Sequence, residues 1–337
     1  MGRLIMAWSS VLNFTDPHEC QIAIQGAHVE VFPTARGAYY SEITKIRFDR
    51  LWMQRFHWSS PQVLTIAHKS DRKAINFLIE TKSAGNHYGG AEVLPGDIIL
   101  HRNDLAHGRF AGGIRSGAMS LPATELNAAF KAVTGLEFPE KHPRSILRPN
   151  PTLLQRLLSV HNGVGHLARV TPDVLEMPEV ARALEEQLIY LMIRCLTEGV
   201  ALKVTQREVR HEVIMRRFEE YLETHRDQPI HLIKVCAGIG VTERTLRACC
   251  EEHLGMGPIR YLSLRRMHLV RRALQRADPS TVNVTRIATD HGFWELGRFA
   301  VAYRTLFGET PSTTLRCPTK QFLIQLKRPS SLERMSR

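Results

Sequence analysis

Two related stretches determine how this sequence is interpreted: VCAGIGVTERTLRACCEEHLG (Val235–Gly255) and RIATDHGFWELGRFAVAYRTLFGETPS (Arg286–Ser312). Each stretch predicts a short helix, a tight turn containing glycine and a second helix. The second helices begin near Thr242 and Trp294, and an arginine-rich segment joins the two copies. Because the major groove of DNA accepts one helix, a repeated helix-turn-helix of this kind predicts a DNA-binding protein.

Length and charge agree with that interpretation. The chain has 337 residues, more than the roughly 100 to 200 of a usual single domain, so two domains are expected. Its 45 Lys+Arg exceed its 33 Asp+Glu, and the segment from Arg207 onwards holds 23 of the basic residues against 14 of the acidic ones. Such a concentrated basic excess favours a polyanionic partner, nucleic acid before a membrane surface.

The spacing of the cysteines and the length of the apolar segments argue against several classes of protein. The six cysteines have no CxxC spacing, which predicts neither a zinc site nor a disulfide framework. Residues 4–12 are too short an apolar run for a signal peptide, and no run approaches the ~18 apolar residues of a membrane span. We therefore expect a cytoplasmic protein with no membrane partner.

The first 200 residues predict a domain of a different kind. From about residue 20 to 121, short apolar or alternating segments are separated by Gly, Pro, Asn and Asp, which predicts strands of an antiparallel sandwich or barrel. Residues 122–200 have helical spacing, with two longer helices that begin near Leu153 and at Pro178. The apolar faces of these two helices predict either a dimer surface or a cover over the N-terminal core.

The predicted fold class is therefore α+β. An N-terminal β-rich domain, sandwich- or barrel-like with flanking helices, spans residues 1–200, and the polar residues 201–210 form a linker. An all-α domain with two helix-turn-helix units joined by a long helix spans residues 207–316, and residues 317–337 form a basic tail.

The helix after the first turn has the side chains that contact with DNA bases requires. Thr242 is a favourable N-cap, and an apolar face that includes Leu246 leaves Arg244 and Arg247 on the outside. An arginine can bond both O6 and N7 of guanine, a contact worth roughly 1 to 3 kcal/mol of discrimination. The sequence therefore predicts that Arg244 and Arg247 contact bases.

Other arginines are predicted to bind phosphates, which position a protein on DNA without selecting its sequence. They lie on the predicted helix 259–277 and on the helix after the second turn. The predicted phosphate contacts are Arg265, Arg266, Arg271, Arg272 and Arg304. Trp294, at the second turn, is interpreted as a packing residue, with stacking on a base as the alternative.

The C-terminal region resembles the DNA-binding domain of AraC/XylS-type transcription regulators over about residues 207–316. The motifs that carry the resemblance are the LG-x-x-P-x-x-YL junction (254–262), the ATDHGF turn and the closing FG-x-TPS. The resemblance implies two helix-turn-helix units bridged by one long helix and set into successive major-groove segments. Matched by position, the implied base-facing residues are Arg244, Thr245, Arg247 and Ala248 in the first unit, and Leu296, Gly297, Arg298 and Val301 in the second.

The same resemblance implies a function and partners for the protein. It predicts a transcription regulator, more an activator than a repressor, that binds double-stranded DNA at a promoter and acts with RNA polymerase. The N-terminal domain is expected to sense a small-molecule effector or a partner and to form a homodimer. The second helix departs from the family pattern, since many members have Ser, Gln or Arg at the positions of Trp294, Leu296, Gly297 and Val301. Sequence specificity is therefore expected to come mostly from base pairs that the first helix contacts. At the second helix, Arg298, methyl contacts and DNA shape are expected to contribute.

Two alternatives stay open. One is a metal-dependent, cupin-like enzyme domain fused to a DNA-binding domain, suggested by His87, His101 and His107 around a predicted turn. Their spacing lacks a His-x-His ligand pair, so no metal and no cofactor are predicted. No nucleophile with a nearby base and no phosphate loop is recognisable, which predicts that the protein is not an enzyme. The other alternative is an architectural DNA-binding protein with little sequence preference.

Overall fold

The computed structural model describes residues 7–68, 71–101, 105–139, 146–202, 205–225 and 230–316. The chain forms two compact units, Met1–Arg265 and Arg266–Arg337, called here the N-terminal and C-terminal units. The predicted basic tail and residues 203–204 of the predicted linker lie outside the described residues.

Two antiparallel sheets form the centre of the N-terminal unit. Sheet A has the strand order β1-β3-β4-β11-β6-β9-β12-β13, and sheet B the order β2-β5-β10-β7-β8. The strands are β1 (Trp8–Phe14), β2 (Ala27–Pro33), β3 (Ser41–Arg47), β4 (Trp52–Trp58), β5 (Gln62–His68), β6 (Arg72–Thr81), β7 (His87–Tyr88), β8 (Ala91–Glu92), β9 (Ile98–Leu100), β10 (Leu105–Phe110), β11 (Ile114–Pro122), β12 (Ile146–Arg148) and β13 (Val200–Ala201).

Helices make up most of the remaining structure. Those of the N-terminal unit are α1 (Pro17–Ala23), α2 (Ala123–Thr134), α3 (Pro151–Val170), α4 (Pro172–Glu176), α5 (Pro178–Glu198), α6 (Gln206–Thr224), α7 (Leu232–Ile239) and α8 (Glu243–Leu254). Helix α9 (Pro258–Arg276) runs from this unit into the next, which contains α10 (Val284–Asp290), α11 (Leu296–Phe307) and α12 (Pro311–Arg316). Within the described ranges, no helix has the length and apolar character needed to cross a membrane.

The sheets form two cores because alternate side chains of a strand point to opposite faces. One core lies between the sheets and includes Phe56 and Leu78 of sheet A and Leu64 of sheet B. The other joins the opposite face of sheet A to helices α2, α3 and α5, with Leu157 and Leu188 fully buried. The apolar faces of α3 and α5 therefore close the N-terminal core, which decides between the two alternatives for those faces.

The architecture confirms the predicted α+β class, with antiparallel sheets first and helices after them. The compact units divide at Arg265, because helices α6 and α8 pack against strand β10 of sheet B. The domain boundary predicted at residues 201–210 stays a prediction. In the C-terminal unit, α10, α11 and α12 surround a core of their own that includes Leu274, Ala288 and Tyr303.

Candidate nucleic-acid interface

Helix α8 follows the first turn and is held at both ends. Gly240 ends α7 in the left-handed region, at φ 72°, where a side chain would be strained. Thr242 caps α8 by accepting a hydrogen bond from the Thr245 amide at 3.2 Å, and Gly255 ends the helix at φ 70°. One face is buried through Leu246, so the opposite face has a fixed direction.

The outer face of α8 has the predicted side chains. Arg244, Arg247 and Ala248 are exposed, and Thr245 is half-buried with its hydroxyl 2.9 Å from that of Thr242. Arg247 Nη2 donates to Glu243 Oε1 at 2.9 Å, and both side chains are about half exposed. An exposed pair of this kind contributes little, so Arg247 can exchange the carboxylate for a guanine edge at low cost. Base contact by these four residues stays a prediction.

Helix α11 follows the second turn in the C-terminal unit. Phe299 and Tyr303 are buried, Gly297, Arg298 and Val301 are exposed, and Leu296 is half-buried. Arg298 Nη1 lies 2.8 Å from Glu295 Oε2 in an exposed pair. Base contact by these residues also stays a prediction, with Arg298 the one charged donor among the four predicted positions of this helix.

One interpretation of the second turn is wrong. Trp294 is 72% exposed and therefore does not act as a packing residue. It lies just before α11, where the chain turns, and Phe293 beside it packs on Phe299 with ring centroids 4.9 Å apart. The adjacent phenylalanine takes the core position, which leaves the indole at the surface.

Four of the five predicted phosphate-binding arginines lie in the C-terminal unit. Arg304 is exposed, and Arg266, Arg271 and Arg272 are half-buried. Arg271 Nη2 lies 3.1 Å from Glu309 Oε1, and its guanidinium lies over the ring of Phe307. The phosphate roles of these four residues stay predictions.

The expectation that Arg265 lies on the surface is wrong. Its side chain is 6% exposed and contacts three carboxylates. Nη1 lies 3.2 Å from Glu219 Oε2, Nη2 lies 3.4 Å from Glu30 Oε2, and Nη2 also bonds Glu223. In this conformation Arg265 cannot reach a phosphate, because its side chain is buried and both Nη atoms bond carboxylates.

Arg265 is part of a contact between sheet B and the first helix-turn-helix segment, residues 206–265. Glu30, Thr65 and His107 lie directly opposite one another on β2, β5 and β10. We call these three side chains the polar row. Each meets one partner: Glu30 meets Arg265, Thr65 Oγ1 lies 3.3 Å from the Tyr261 hydroxyl, and His107 Nε2 lies 2.9 Å from Glu219 Oε1.

The charges in this contact reinforce one another. Burial opposes ionisation of Glu219, but a hydrogen bond from His107 and the charges of His107 and Arg265 lower its pKa. Burial would lower the pKa of Arg265, whereas the charge of Glu219, with those of Glu30 and Glu223, raises it. The guanidinium and the Glu219 carboxylate are therefore both ionised. Removing either would take away the largest opposite charge beside the other in a buried contact, which is costly.

The opposite face of sheet B lines a cavity between the two sheets. Val29, Leu64 and Ile66 contribute to its wall from the same strands that carry the polar row. Most of the wall is apolar, and the few polar groups include His101, whose Nδ1 lies 2.7 Å from the Tyr88 hydroxyl. The cavity volume is about 70 Å³, room for roughly five water molecules.

The three histidines of the metal alternative have separate surroundings. His101 faces the cavity, His107 contacts Glu219, and His87 bonds the Arg109 guanidinium at 2.7 Å. Among the described residues, no group of three His, Cys, Asp or Glu side chains is placed to hold a metal ion. The structure does not bring these histidines together as one ligand set.

Comparison with known proteins agrees with this geometry. Residues 235–316 match a family described as a helix-turn-helix domain. The chain is 35% identical over 168 residues to the "Probable thc operon regulatory protein" of Rhodococcus erythropolis, which covers 47% of this chain and 48% of that protein. The DNA-binding part of this chain is similar to that of AraC/XylS-type regulators. The predicted resemblance is thereby confirmed, and an AraC/XylS helix-turn-helix implies binding to double-stranded DNA.

Other relatives extend beyond the DNA-binding part. The "XylDLEGF operon transcriptional activator 3" of Pseudomonas putida is 26% identical over 231 residues, 66% of this chain and 65% of that protein. These two relatives are thus matched over about half to two thirds of their own lengths. Among solved structures, the AraC-like transcriptional activator CuxR is similar at 16% identity, with a TM-score of 0.39, over 78% of this chain and 95% of that chain.

The contact of the first helix-turn-helix segment, residues 206–265, with sheet B is the feature that sequence reasoning missed. A signal was present: Glu30 and Thr65 interrupt apolar strands, in VEVF and LTIA. In a two-sheet domain, a polar residue in such a position points away from the inner core and requires a partner on the outer face. The sequence did not indicate which helix supplies that partner.

Proposed function

We propose that this protein is a sequence-specific transcription regulator that responds to a small-molecule effector. The observation that carries the proposal is helix α8, which is capped at Thr242, buried on one face and presents Arg244 and Arg247 on the other. A rigid helix with exposed arginines near its N-terminus suits direct contact with bases in the major groove. An architectural DNA-binding protein has no need of such a helix.

Base preference is expected to depend on Arg247. Arg247→Ala should remove a bidentate contact, weaken binding by about 1 to 3 kcal/mol and relax preference at one base position. Arg304→Ala should instead weaken binding to all DNA sequences alike. It should also reduce the slope of log affinity against log salt concentration by about one. Selection from random DNA duplexes at fixed salt, followed by titration at several salt concentrations, measures both effects.

The control for this experiment is Arg194→Ala, on helix α5 of the N-terminal β-rich domain, which should leave DNA affinity unchanged. Equal losses on all sequences for Arg247→Ala and Arg304→Ala would contradict the separate roles. A wild-type protein that selects no sequence would favour the architectural alternative.

We further propose that the effector binds between the sheets and changes the contact of sheet B with segment 206–265. The cavity of about 70 Å³ is much smaller than the ~300 Å³ of a typical ligand pocket, so an effector must move the sheets apart. Val29 and Glu30 are neighbours on β2, and Thr65 lies between Leu64 and Ile66 on β5. A displacement of the cavity wall is therefore also a displacement of the polar row.

Transcription is proposed to follow from that movement. The altered contact would reposition the AraC/XylS helices in a homodimer, so that paired domains occupy a repeated site and act with RNA polymerase. Activation is proposed over repression because the matched Pseudomonas putida relative is named a transcriptional activator. A reporter gene fused to a promoter that carries the selected site tests whether the protein activates or represses. Loss of the protein should lower expression if it activates.

A cavity-filling substitution tests the effector site. Ala118 is buried and lines the cavity, so Ala118→Leu adds three carbon atoms where an effector would enter. In a reporter strain screened with small aromatic and branched aliphatic compounds, this variant should lose at least about tenfold of the response to an active compound. Binding to DNA without the compound should persist.

The matched control is Ala128→Leu, which makes the same change on the exposed face of α2 and should respond like the wild type. A full response from Ala118→Leu would place the effector elsewhere. Absence of any response from the wild type across the panel would remove the support for effector sensing.

A further inference from the structure

A polar cleft lies on the other side of sheet A, away from the cavity between the sheets. It has a volume of about 310 Å³ and is bounded by strands β3, β4 and β11 and by helix α3. Three guanidinium groups line it, those of Arg55, Arg115 and Arg169, with one lining carboxylate, that of Glu42. We call it the arginine cleft.

Strand register explains why these charges meet. Glu42 on β3, His57 on β4 and Arg115 on β11 lie directly opposite one another, and directly opposite residues of antiparallel strands share a face. Arg55 is two positions before His57 on β4, so it lies on the same face. The sheet therefore places two arginines and a histidine in adjacent positions under α3.

Helix α3 holds Arg55 in a fixed position. Arg55 Nη1 donates to the His161 carbonyl at 3.0 Å and to Asn162 Oδ1 at 2.8 Å, and it lies 2.9 Å from His161 Nδ1. Gly165 makes the approach possible, because a Cβ at this position would lie 2.4 Å from Arg55 Cδ. Within the described ranges these bonds all use Nη1, so Nε and Nη2 retain donors for a ligand.

The positive charge of the cleft is only partly compensated. Arg169 forms a two-point ion pair with Glu42, with Nη1 3.0 Å from Oε2, and Arg115 lies 3.5 Å from Glu80. The bonds that hold Arg55 come from an imidazole, a carbonyl and an amide.

Arg55 therefore carries the uncompensated charge. Burial, followed by the charges of Arg169 and Arg115, lowers the pKa of Arg55 to about 10, against the opposing charge of Glu42. A half-buried cation beside two others is costly unless an anion approaches it.

We propose that the arginine cleft binds a small molecule through an oxyanion, a phosphate or a carboxylate group. Guanidinium groups bind both kinds of oxyanion through paired N–H donors. The imidazoles of His57 and His166, which also line the cleft, add further hydrogen-bonding groups. The volume lies within the range of small-molecule sites. The site is separate from the proposed effector cavity, since the two lie on opposite faces of sheet A.

Binding is tested by calorimetric titration of the full chain with two kinds of probe. Inorganic phosphate and pyrophosphate represent the phosphate source, succinate represents the carboxylate source, and sodium chloride at matched ionic strength controls for screening. Saturable binding of either kind supports the proposal and identifies the source. No saturable binding of any probe up to about 10 mM would overturn it.

Variants of the charged residues are expected to change the affinity for the probe in opposite directions, which separates ligand binding from damage to the fold. Arg115→Gln and Arg169→Gln should each weaken binding by about tenfold or more, because each removes a charged donor. Glu42→Gln should strengthen binding several-fold, because it removes the carboxylate that competes for Arg169. Arg194→Gln, outside the cleft, should change nothing. Equal affinity in all four variants would overturn the assignment.

Discussion

Replacement of Arg265 by alanine is expected to lower the free energy of unfolding of the N-terminal unit by about 3 to 5 kcal/mol. The side chains of Glu30 and Glu219 that contact this guanidinium are 6% and 1% exposed. Once the cation is removed, Glu219 keeps its contacts with His107 and Tyr261 but loses its ion pair with Arg265, and Glu30 loses its ion pair with the same guanidinium. Loss of one partner of a buried ion pair is costly because the remaining charge has already lost its water.

Urea unfolding followed by tryptophan fluorescence measures this loss. Three of the four tryptophans of the chain lie in this unit: Trp8, Trp52 and Trp58. Arg265→Lys should give an intermediate loss, since an ammonium keeps the charge but cannot bond several carboxylates in the plane of a guanidinium.

The matched control is Arg207→Ala. Arg207 pairs with Glu252 at 3.0 Å, but its side chain is 72% exposed. An exposed ion pair contributes about 1 kcal/mol or less, so this variant should remain close to the wild type. If Arg265→Ala lost no more than Arg207→Ala, the contact between sheet B and segment 206–265 would contribute little to stability.

Acidification is expected to destabilise the N-terminal unit through His253. Burial, followed by the charges of His107 and His211, lowers the pKa of His253 from 6.5 to about 3. In the unfolded chain the imidazole takes up a proton near pH 6.5, whereas in the folded chain it stays neutral. The unfolded state then binds more protons, so stability present above pH 6.5 is lost as the pH falls, by about 1.4 kcal/mol per pH unit.

Unfolding at pH 7, 6 and 5 tests this expectation. His253→Gln should reduce the slope of stability against pH by about 1.4 kcal/mol per unit in this range, because glutamine does not titrate. A slope remains in the variant, since burial also lowers the pKa of His161. Gln187→Ala, an exposed change on α5 that adds or removes no titrating group, should leave the slope unchanged. An unaltered slope in His253→Gln would show that this imidazole is not held neutral.

Much of the DNA-binding region was predictable because its signals are local. The cap at Thr242, the buried Leu246 and the exposed Arg244 and Arg247 all follow from residues within a few positions of one another. A Thr cap satisfies amides in the first turn, and helical periodicity then assigns each side chain to a face. The left-handed glycine at Gly255 ends the helix for an equally local reason.

The two incorrect expectations concern Arg265 and Trp294, whose exposure depends on which other part of the chain packs against them. Arg265 follows Tyr261 by four positions and Leu262 by three, so it lies near the buried side of α9. From helical periodicity alone, an arginine at this position is predicted to be exposed. The pattern within one helix contains no information that sheet B covers this turn. At the second turn, periodicity could not establish that Phe293 rather than Trp294 enters the core.

By itself the sequence determined the α+β class and the repeated helix-turn-helix, because capping residues, glycine turns and apolar periodicity act over one or two helical turns. Its motifs also carry the resemblance to AraC/XylS-type regulators. Only the tertiary structure decided the partners of the buried charges. Glu30 and Arg265 are separated by 235 positions, and Arg55 and Arg169 meet only because α3 lies across sheet A. Such contacts depend on which faces of distant elements pack together, and local periodicity specifies a face without specifying its neighbour.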